Sequence, residues 1–453
     1  MFEKLHAKLG DFWWYSLMLF CACRAADLLN AFVGLWLAPK YVAPSELGAV
    51  MPLTQFANFL AIPIIAFANT FRNELTCLSI NKEFGKLKTL MRGVFAATAI
   101  FLFLAIIVAR FALPTFLERI RIVQGSLGVV IIAASFVGAV APIYSNALQA
   151  LKKFKAQSIL NIVGAPVRLV TMLVAMPFRA LTGYFVGQAS VPVFNIAAAI
   201  LSLRKELSVP AEPYWNKETF KKFSTLFILF ISWAISGGAF GLVESTVIRQ
   251  RLPDLDSAGY YMATRFSEIA TYLYGAMIFA FFPFAAELAK NGKAHAKLII
   301  KASGVNIAFC ATIALLSVFV AKPFLAFLPN GDKYATYWWA IPWLIAITGL
   351  SSLHGFYTTA ETATNRFGFL KWTIPLELAY STLLLVVTEH RHLVGIIPAS
   401  WTELLTTHNI YSLNTMLWWM TAITVLKTLA SLVAIAVTKH SAPLPWQPTS
   451  NDS

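Results

Sequence analysis

The stretch SNALQALKKFKAQSILNIVGAPVR, residues 145–168, decides how this chain is built. It reads as a helix end, a tight basic loop and a helix start. Lys152, Lys153 and Lys155 sit between two long apolar segments. Lys and Arg accumulate in the cytoplasmic loops of membrane proteins, so the tip of this hairpin is expected inside the cell. Beyond it, Arg168 is carried back into an apolar span, where a charge costs about 2.5–3.5 kcal/mol on insertion scales and needs a partner or a wet cavity. One hairpin thus predicts both an orientation and a polar interior.

Composition agrees. Of 453 residues, 58% are hydrophobic and 13% charged, where a soluble domain carries about 25% charged residues. Apolar runs recur at the length of about 20 residues that a spanning helix needs. The formal charge of +15 falls in short loops between spans, so it reads as topology and not as a nucleic-acid surface. Cys21, Cys23, Cys77 and Cys310 suit neither a disulfide framework nor a zinc site. The first apolar segment holds Arg24 and Asp27 and lacks a small-residue cleavage site, so it is not read as a cleaved signal.

Residues 1–11 place Phe2, Leu5 and Leu9 on one helical face, which predicts a short interfacial helix. Twelve spans follow, at about 13–38, 47–71, 93–113, 126–149, 157–178, 182–203, 223–247, 259–286, 298–321, 334–357, 370–388 and 413–438. Alternate loops, counted with both termini inside, hold 22 of the 36 Lys and Arg residues; the opposite loops hold 10 and the spans 4. That bias predicts cytoplasmic termini and an even number of spans.

The longest inner loop, 204–222, carries Pro210 and Pro213 and then the amphipathic WNKETFKKF. It divides the chain into a six-helix lobe over 1–203, a linker over 204–222, a second six-helix lobe over 223–440 and a tail over 441–453. Two anchors relate the lobes. PKYVAPSELGAVMPLTQF sets against RLPDLDSAGYYMATRF with Gly48 on Gly259, and KKFKAQSIL sets against NRFGFLKWT with Phe154 on Phe367. The offsets are nearly equal. Six spans per unit make the repeats parallel, related by an axis along the membrane normal, with a cavity expected between two bundles.

Pro44, Glu46 and Gly48 opening the second span, the LQ-x-LKKF hairpin closing the fourth, and twelve spans in two halves together resemble the polysaccharide-exporter branch of the MOP superfamily, which includes the O-antigen (Wzx-type) flippases. The resemblance implies an all-α membrane protein of two pseudo-symmetric six-helix bundles in the bacterial inner membrane. It further implies movement of a lipid-linked, polyprenyl-diphosphate oligosaccharide between leaflets by alternating access, coupled to a proton or sodium gradient, in concert with other polysaccharide-assembly proteins. No cofactor, metal or catalytic residue is implied.

Eight ionisable residues fall inside the spans. Arg24, Arg168, Arg265 and Lys427 are the candidate cavity cations, because a guanidinium fork suits phosphate oxygens. Asp27, Glu244, Glu268 and Glu377 are the candidate ligands of a coupling ion. Arg24 with Asp27, and Arg265 with Glu268, stand i, i+3 and share a helix face, so all eight also read as interhelical pairs whose charges cancel. Asn30, Gln55, Asn58, Asn69, Asn146, Asn161, Gln188 and Asn195 offer hydrogen bonds either to sugar hydroxyls or to neighbouring helices. Trp13, Trp14, Tyr15, Trp338, Trp339, Trp418 and Trp419 fall where an interfacial aromatic belt lies. Two other functions stay open. A membrane polymerase or ligase would use Glu389, His390, Arg391, His392, Glu403 and His408 of the 389–412 loop. A multidrug antiporter of the same superfamily would carry cationic cargo, against which the buried cations argue. No phosphate-cradling Gly loop, metal-ligand spacing or nucleophile elbow is present.

Overall fold

The computed structural model describes residues 14, 17, 27–122, 125–151, 153–290, 296–364, 366–388 and 412–437. Arg24, the N-terminal arm, the 389–411 loop with its histidines, and the tail lie outside the described residues.

The described residues are helical in every predicted span. We number them α1 (27–41), α2 (44–80), α3 (Phe84–Arg119), α4 (Gly125–Ala150), α5 (Phe154–Ala175), α6 (Ala180–Ser202), α7 (Lys217–Arg251), α8 (254–290), α9 (Ala296–Phe327), α10 (331–363), α11 (Leu370–Thr388) and α12 (Leu413–Val437). Among the described residues, seven helices are individually long and apolar enough to cross a membrane. Two bent pairs bring that count to nine: Pro44–Leu60 with Ile62–Arg72, at 59°, and Gly331–Tyr337 with Ala340–Ala363, at 54°. The chain is a multi-pass membrane protein.

Local chemistry explains the breaks. In α2, Pro63 cannot donate to the helix and its ring crowds the carbonyl four residues back, so the chain turns at Ala61. The linker is not a free tether. After a turn at Arg204–Leu207, Thr89 Oγ1 donates to the Glu212 carbonyl at 2.6 Å and Lys88 Nζ to the Val209 carbonyl at 2.9 Å. Tyr214 donates to Glu74 at 2.8 Å, and Lys222 pairs with the same carboxylate at 2.8 Å. The amphipathic stretch of the linker is continuous with α7: Asn216 and Thr219 form a capping box that satisfies the first N–H groups of a helix running without a break to Arg251.

Packing repeats between the two halves. In the first half α2 packs on α4, and α4 on α6; in the second α8 packs on α10, and α10 on α12. Between halves, α2 packs on α7 and α8 on α1. The repeat-related segments meet one another: Ser257 Oγ donates to the Gly48 carbonyl at 3.3 Å, two residues before Gly259. A methyl group on Gly48 would collide with Ser257 Oγ, so only glycine fits there. At the end of the molecule holding Gly48, one buried apolar cluster runs through both halves, from Leu47 and Leu53 to Tyr261 and Ile341. At the other end the core splits. One cluster, around Phe71, Leu90 and Leu148, belongs almost wholly to the first half. Another, around Phe281, Ile299 and Phe356, belongs almost wholly to the second. The halves thus share one core at the Gly48 end and have separate cores at the other, where α2 and α7 stay in contact through Phe67 and Phe223.

Candidate functional site

A cavity of about 400 Å³ opens between the two parted clusters. Its position follows from the helices around it. Arg72 lies on α2 beyond the Ala61 bend, Asn146 and Gln149 on the last turns of α4, Gln157 on the first turn of α5, and Asn195 and Ala199 near the end of α6; Ile278 of α8 and Thr359 of α10 complete the lining from the second half. The first-half residues stand at the end where Lys82 and Lys153 lie. Gly138 and Pro142 of α4 also face the cavity. Pro142 has no N–H to give the Gly138 carbonyl, so that acceptor is left for another donor. A Cβ on Gly138 would meet no atom within 4 Å.

Among the described residues, the lining is basic and amide-rich and contains no carboxylate. The guanidinium of Arg72 stacks 3.8 Å from the ring centroid of Phe282, on the opposite half. Asn146 Nδ2 donates to the Ala68 carbonyl at 2.9 Å, holding α4 on α2 beside Arg72. Ser145 Oγ donates to Gln157 Oε1 at 3.3 Å, and Gln157 Nε2 to Asn161 Oδ1 at 3.2 Å. The buried Asn195 Oδ1 accepts no hydrogen bond from the described residues. Chemically, a guanidinium and amide side chains can hold an anion or hydroxyl groups.

The candidate cations read from the sequence lie elsewhere. Arg168, Arg265 and Lys427 do not line this cavity, and Arg24 lies outside the described residues. Arg168 and Arg265 are brought together where α1, α5, α6 and α8 meet. Arg168 Nη1 donates to Asn30 Oδ1 at 3.1 Å. Arg265 Nη1 pairs with Glu268 at 2.5 Å and the guanidinium lies 5.1 Å from the Tyr261 ring. The Tyr261 and Tyr184 hydroxyls are 3.5 Å apart. The Nε of each arginine is buried without a hydrogen-bond partner among the described residues. A π-helical turn at Val33–Leu37 brings Gly34 against this group: its Cβ position lies 3.1 Å from the Arg265 side chain. Asp27 is on the same helix, and its carbonyl accepts from Tyr272 at 3.2 Å.

Lys427 belongs to a separate interior cluster of the second half. Its ammonium pairs with Glu377 at 2.5 Å and lies 4.8 Å from the Phe240 ring. Ser236 Oγ donates to the other Glu377 oxygen at 2.6 Å. Glu244, also buried, accepts from Tyr260 at 3.3 Å, and His354 Nδ1 is 2.9 Å from Ser431 Oγ.

Sequence reasoning places Arg72 in an inner loop, because the polar run FRNEL ends the apolar segment; α2 instead continues to Ile80. The signal available is the amide pattern, since Asn146 and Asn195 stand out as polar residues within spans and both face the cavity.

No family model matches the chain, and no curated protein matches it. Solved structures do. A mutant of the Vibrio cholerae MATE transporter VcmN superposes with a TM-score of 0.61 at 13% identity, over 93% of this chain and 97% of its own. A multidrug resistance MATE family transporter in an inward-facing conformation gives 0.62 at 12% identity, over 93% of this chain and 96% of that one. A MOP superfamily transporter from Pyrococcus furiosus, whose binding pocket is described as having reverse polarity, gives 0.61 at 12% identity, over 94% and 96%. Over nearly its whole length, this chain has the fold of the MATE transporters of the MOP superfamily.

Proposed function

We propose that the protein is a flippase for a lipid-linked oligosaccharide, moving a polyprenyl-diphosphate sugar across the bacterial inner membrane by alternating access. The observation that carries this reading is the lining of the cavity: Arg72 together with amide and hydroxyl side chains, and no carboxylate among the described residues. A diphosphate needs cations and a sugar needs hydrogen-bond partners, while the lipid tail stays outside in hydrocarbon. The fold supports transport, and the LQ-x-LKKF hairpin supports the polysaccharide-exporting branch. For the Pyrococcus furiosus neighbour, reverse polarity of the binding pocket is taken to suggest a different function, a precedent within this fold for a change of role with pocket polarity.

In this reading Arg72 receives the diphosphate at the cytoplasmic end, and Arg168 with Arg265 serves the same headgroup further along its path, joined by Arg24. Lys427 is assigned to holding helices together, because Glu377 and Phe240 already surround it. Among the candidate coupling carboxylates, Glu268 and Glu377 neutralise neighbouring cations. Glu244 meets a phenol and, among the described residues, no directly paired cation, so it is the carboxylate we assign to a proton or sodium ion.

The test replaces Arg72 with Ala and Gly138 with Phe in a flippase-null strain complemented by this chain. Gly138→Phe fills open space and is expected to block passage without unfolding the protein. Both variants should reach the membrane and lose surface polysaccharide. Normal polysaccharide with either variant would refute the assignment of this cavity. A multidrug antiporter fits the fold as well; a cationic drug, however, calls for a carboxylate that this lining lacks. Raised resistance to lipophilic cations on overexpression, abolished by Gly138→Phe, would establish that alternative.

A further inference from the structure

The end of the molecule opposite the cavity is closed around one side chain. Arg249, in the last turn of α7, is 1% exposed. Each arm of its guanidinium is used. Nε donates to the Ile120 carbonyl at 3.1 Å, Nη1 pairs with Asp254 at 2.8 Å, and Nη2 donates to the Ser45 carbonyl at 2.6 Å. Ile120 and Ser45 belong to the first half, Arg249 and Asp254 to the second. A second arginine, from the first half, closes the ring. Arg121 Nη2 donates to the Arg249 carbonyl at 2.6 Å and to the Leu252 carbonyl at 3.2 Å, and pairs with Asp254 at 3.1 Å. Arg121 has a φ of 60°, the left-handed region that a non-glycine residue enters at a cost and that persists where its surroundings hold it.

The surroundings are those of a seal. The Ser257–Gly48 hydrogen bond crosses the same seam, and the apolar cluster that runs through both halves lies at this end. A fully buried guanidinium in such a place is held by its partners alone, because separating them leaves a charge without compensation unless water enters. Arg121 and Asp254 lie at the rim, 47% and 41% exposed, so opening this end to solvent hydrates chiefly Arg249. The set is therefore suited to two states: paired around a buried Arg249, or parted with Arg249 in water.

We propose that Arg249, with Arg121 and Asp254, is a polar latch that holds this end of the transporter shut while the cavity at the other end is accessible, and that it parts when access alternates. The proposal rests on the alternating-access reading but on no particular cargo. Its test needs none.

The experiment uses the full chain with Cys21, Cys23, Cys77 and Cys310 replaced, in phospholipid nanodiscs. The reporter is Ser257→Cys, at a site 1% exposed on the seam. The probe is a water-soluble, membrane-impermeant maleimide. Asp254→Asn removes the shared anion, and Arg249→Met removes the buried cation while keeping an unbranched side chain of comparable reach. The latch predicts that each raises the labelling rate of Ser257→Cys, by threefold or more for Asp254→Asn and tenfold or more for Arg249→Met. Unchanged labelling in a monodisperse Asp254→Asn protein with an unaltered melting midpoint overturns the proposal. Should Arg249→Met fail to fold, Asp254→Asn decides. Loss of the flippase reading in the polysaccharide assay would leave these rates untouched, so the two failures are distinguishable.

Discussion

The pair Lys427–Glu377 offers a quantitative test of what buried charge does in this protein. The side chains are 16% and 5% exposed, with Nζ and Oε1 2.5 Å apart. Replacing Glu377 with Gln keeps the shape but takes the counter-charge from the ammonium, which retains the Phe240 ring 4.8 Å away. Breaking a buried pair by removing one partner costs about 3–5 kcal/mol, and the Phe240 contact, present in the parent chain as well, offsets none of that cost. Glu377→Gln should therefore destabilise by about 3–5 kcal/mol. Lys427→Met leaves the carboxylate only the Ser236 hydroxyl, and should cost about 3–5 kcal/mol. The double variant has no charge to strand, and exchange of an ion pair for neutral side chains is often close to neutral. Its cost should lie within about 1–2 kcal/mol of zero, so the cycle gives a coupling of about 4 kcal/mol or more. Denaturant unfolding in micelles measures all four proteins. Additive single effects, or single effects below about 1 kcal/mol, would refute the reasoning that this is one buried unit. Transport separates the roles: a double variant that still supports surface polysaccharide marks the pair as structural, and a stable but inactive one marks Glu377 as a coupling carboxylate.

Two further outcomes follow from the packing. Gly48→Ala forces a methyl group into Ser257 Oγ and to 3.1 Å from the Ala258 nitrogen; it should destabilise by about 1–3 kcal/mol and be largely rescued by Ser257→Gly, as read by melting in detergent. Tyr214→Phe removes one of the two groups on Glu74, and a neutral donor to a charged acceptor contributes about 1.5–3 kcal/mol. Trypsin should then cut more rapidly after Arg204, Lys205 or Lys217, with the span helices intact.

Much of the fold is legible because the bilayer imposes it. Apolar runs at the spanning length, the Lys-bearing tip near Lys153 and the prolines between Leu207 and Tyr214 locate the helices and the linker. The repeat is legible in Gly48 and Gly259, and the structure gives the reason: Gly48 packs on the helix start that carries Gly259, and a side chain has no room there. The second anchor is looser, with Phe154 opening α5 while Phe367 precedes α11. The site is less legible. Hydropathy ends a span where charge begins, so it assigns Arg72 and Arg249 to loops although both helices carry on through them. Arg265 with Glu268 is legible from i, i+3 spacing alone. Arg168 with Asn30, and Lys427 with Glu377, join residues 138 and 50 positions apart, and no local pattern records such pairs. The sequence reading gathers the cations in one cavity; instead the described ones divide between two places, Arg168 with Arg265 and Lys427 apart, because each buried charge is met by whichever helix carries its partner.

The most direct test of the central claim is binding to the purified protein in nanodiscs. A polyprenyl diphosphate and a lipophilic cation such as ethidium are each titrated against intrinsic tryptophan fluorescence, for the parent chain and for Arg72→Ala. The account predicts saturable binding of the diphosphate, weakened tenfold or more by Arg72→Ala, and no saturable binding of the cation. Tight binding of the cation together with indifference to the diphosphate would contradict it.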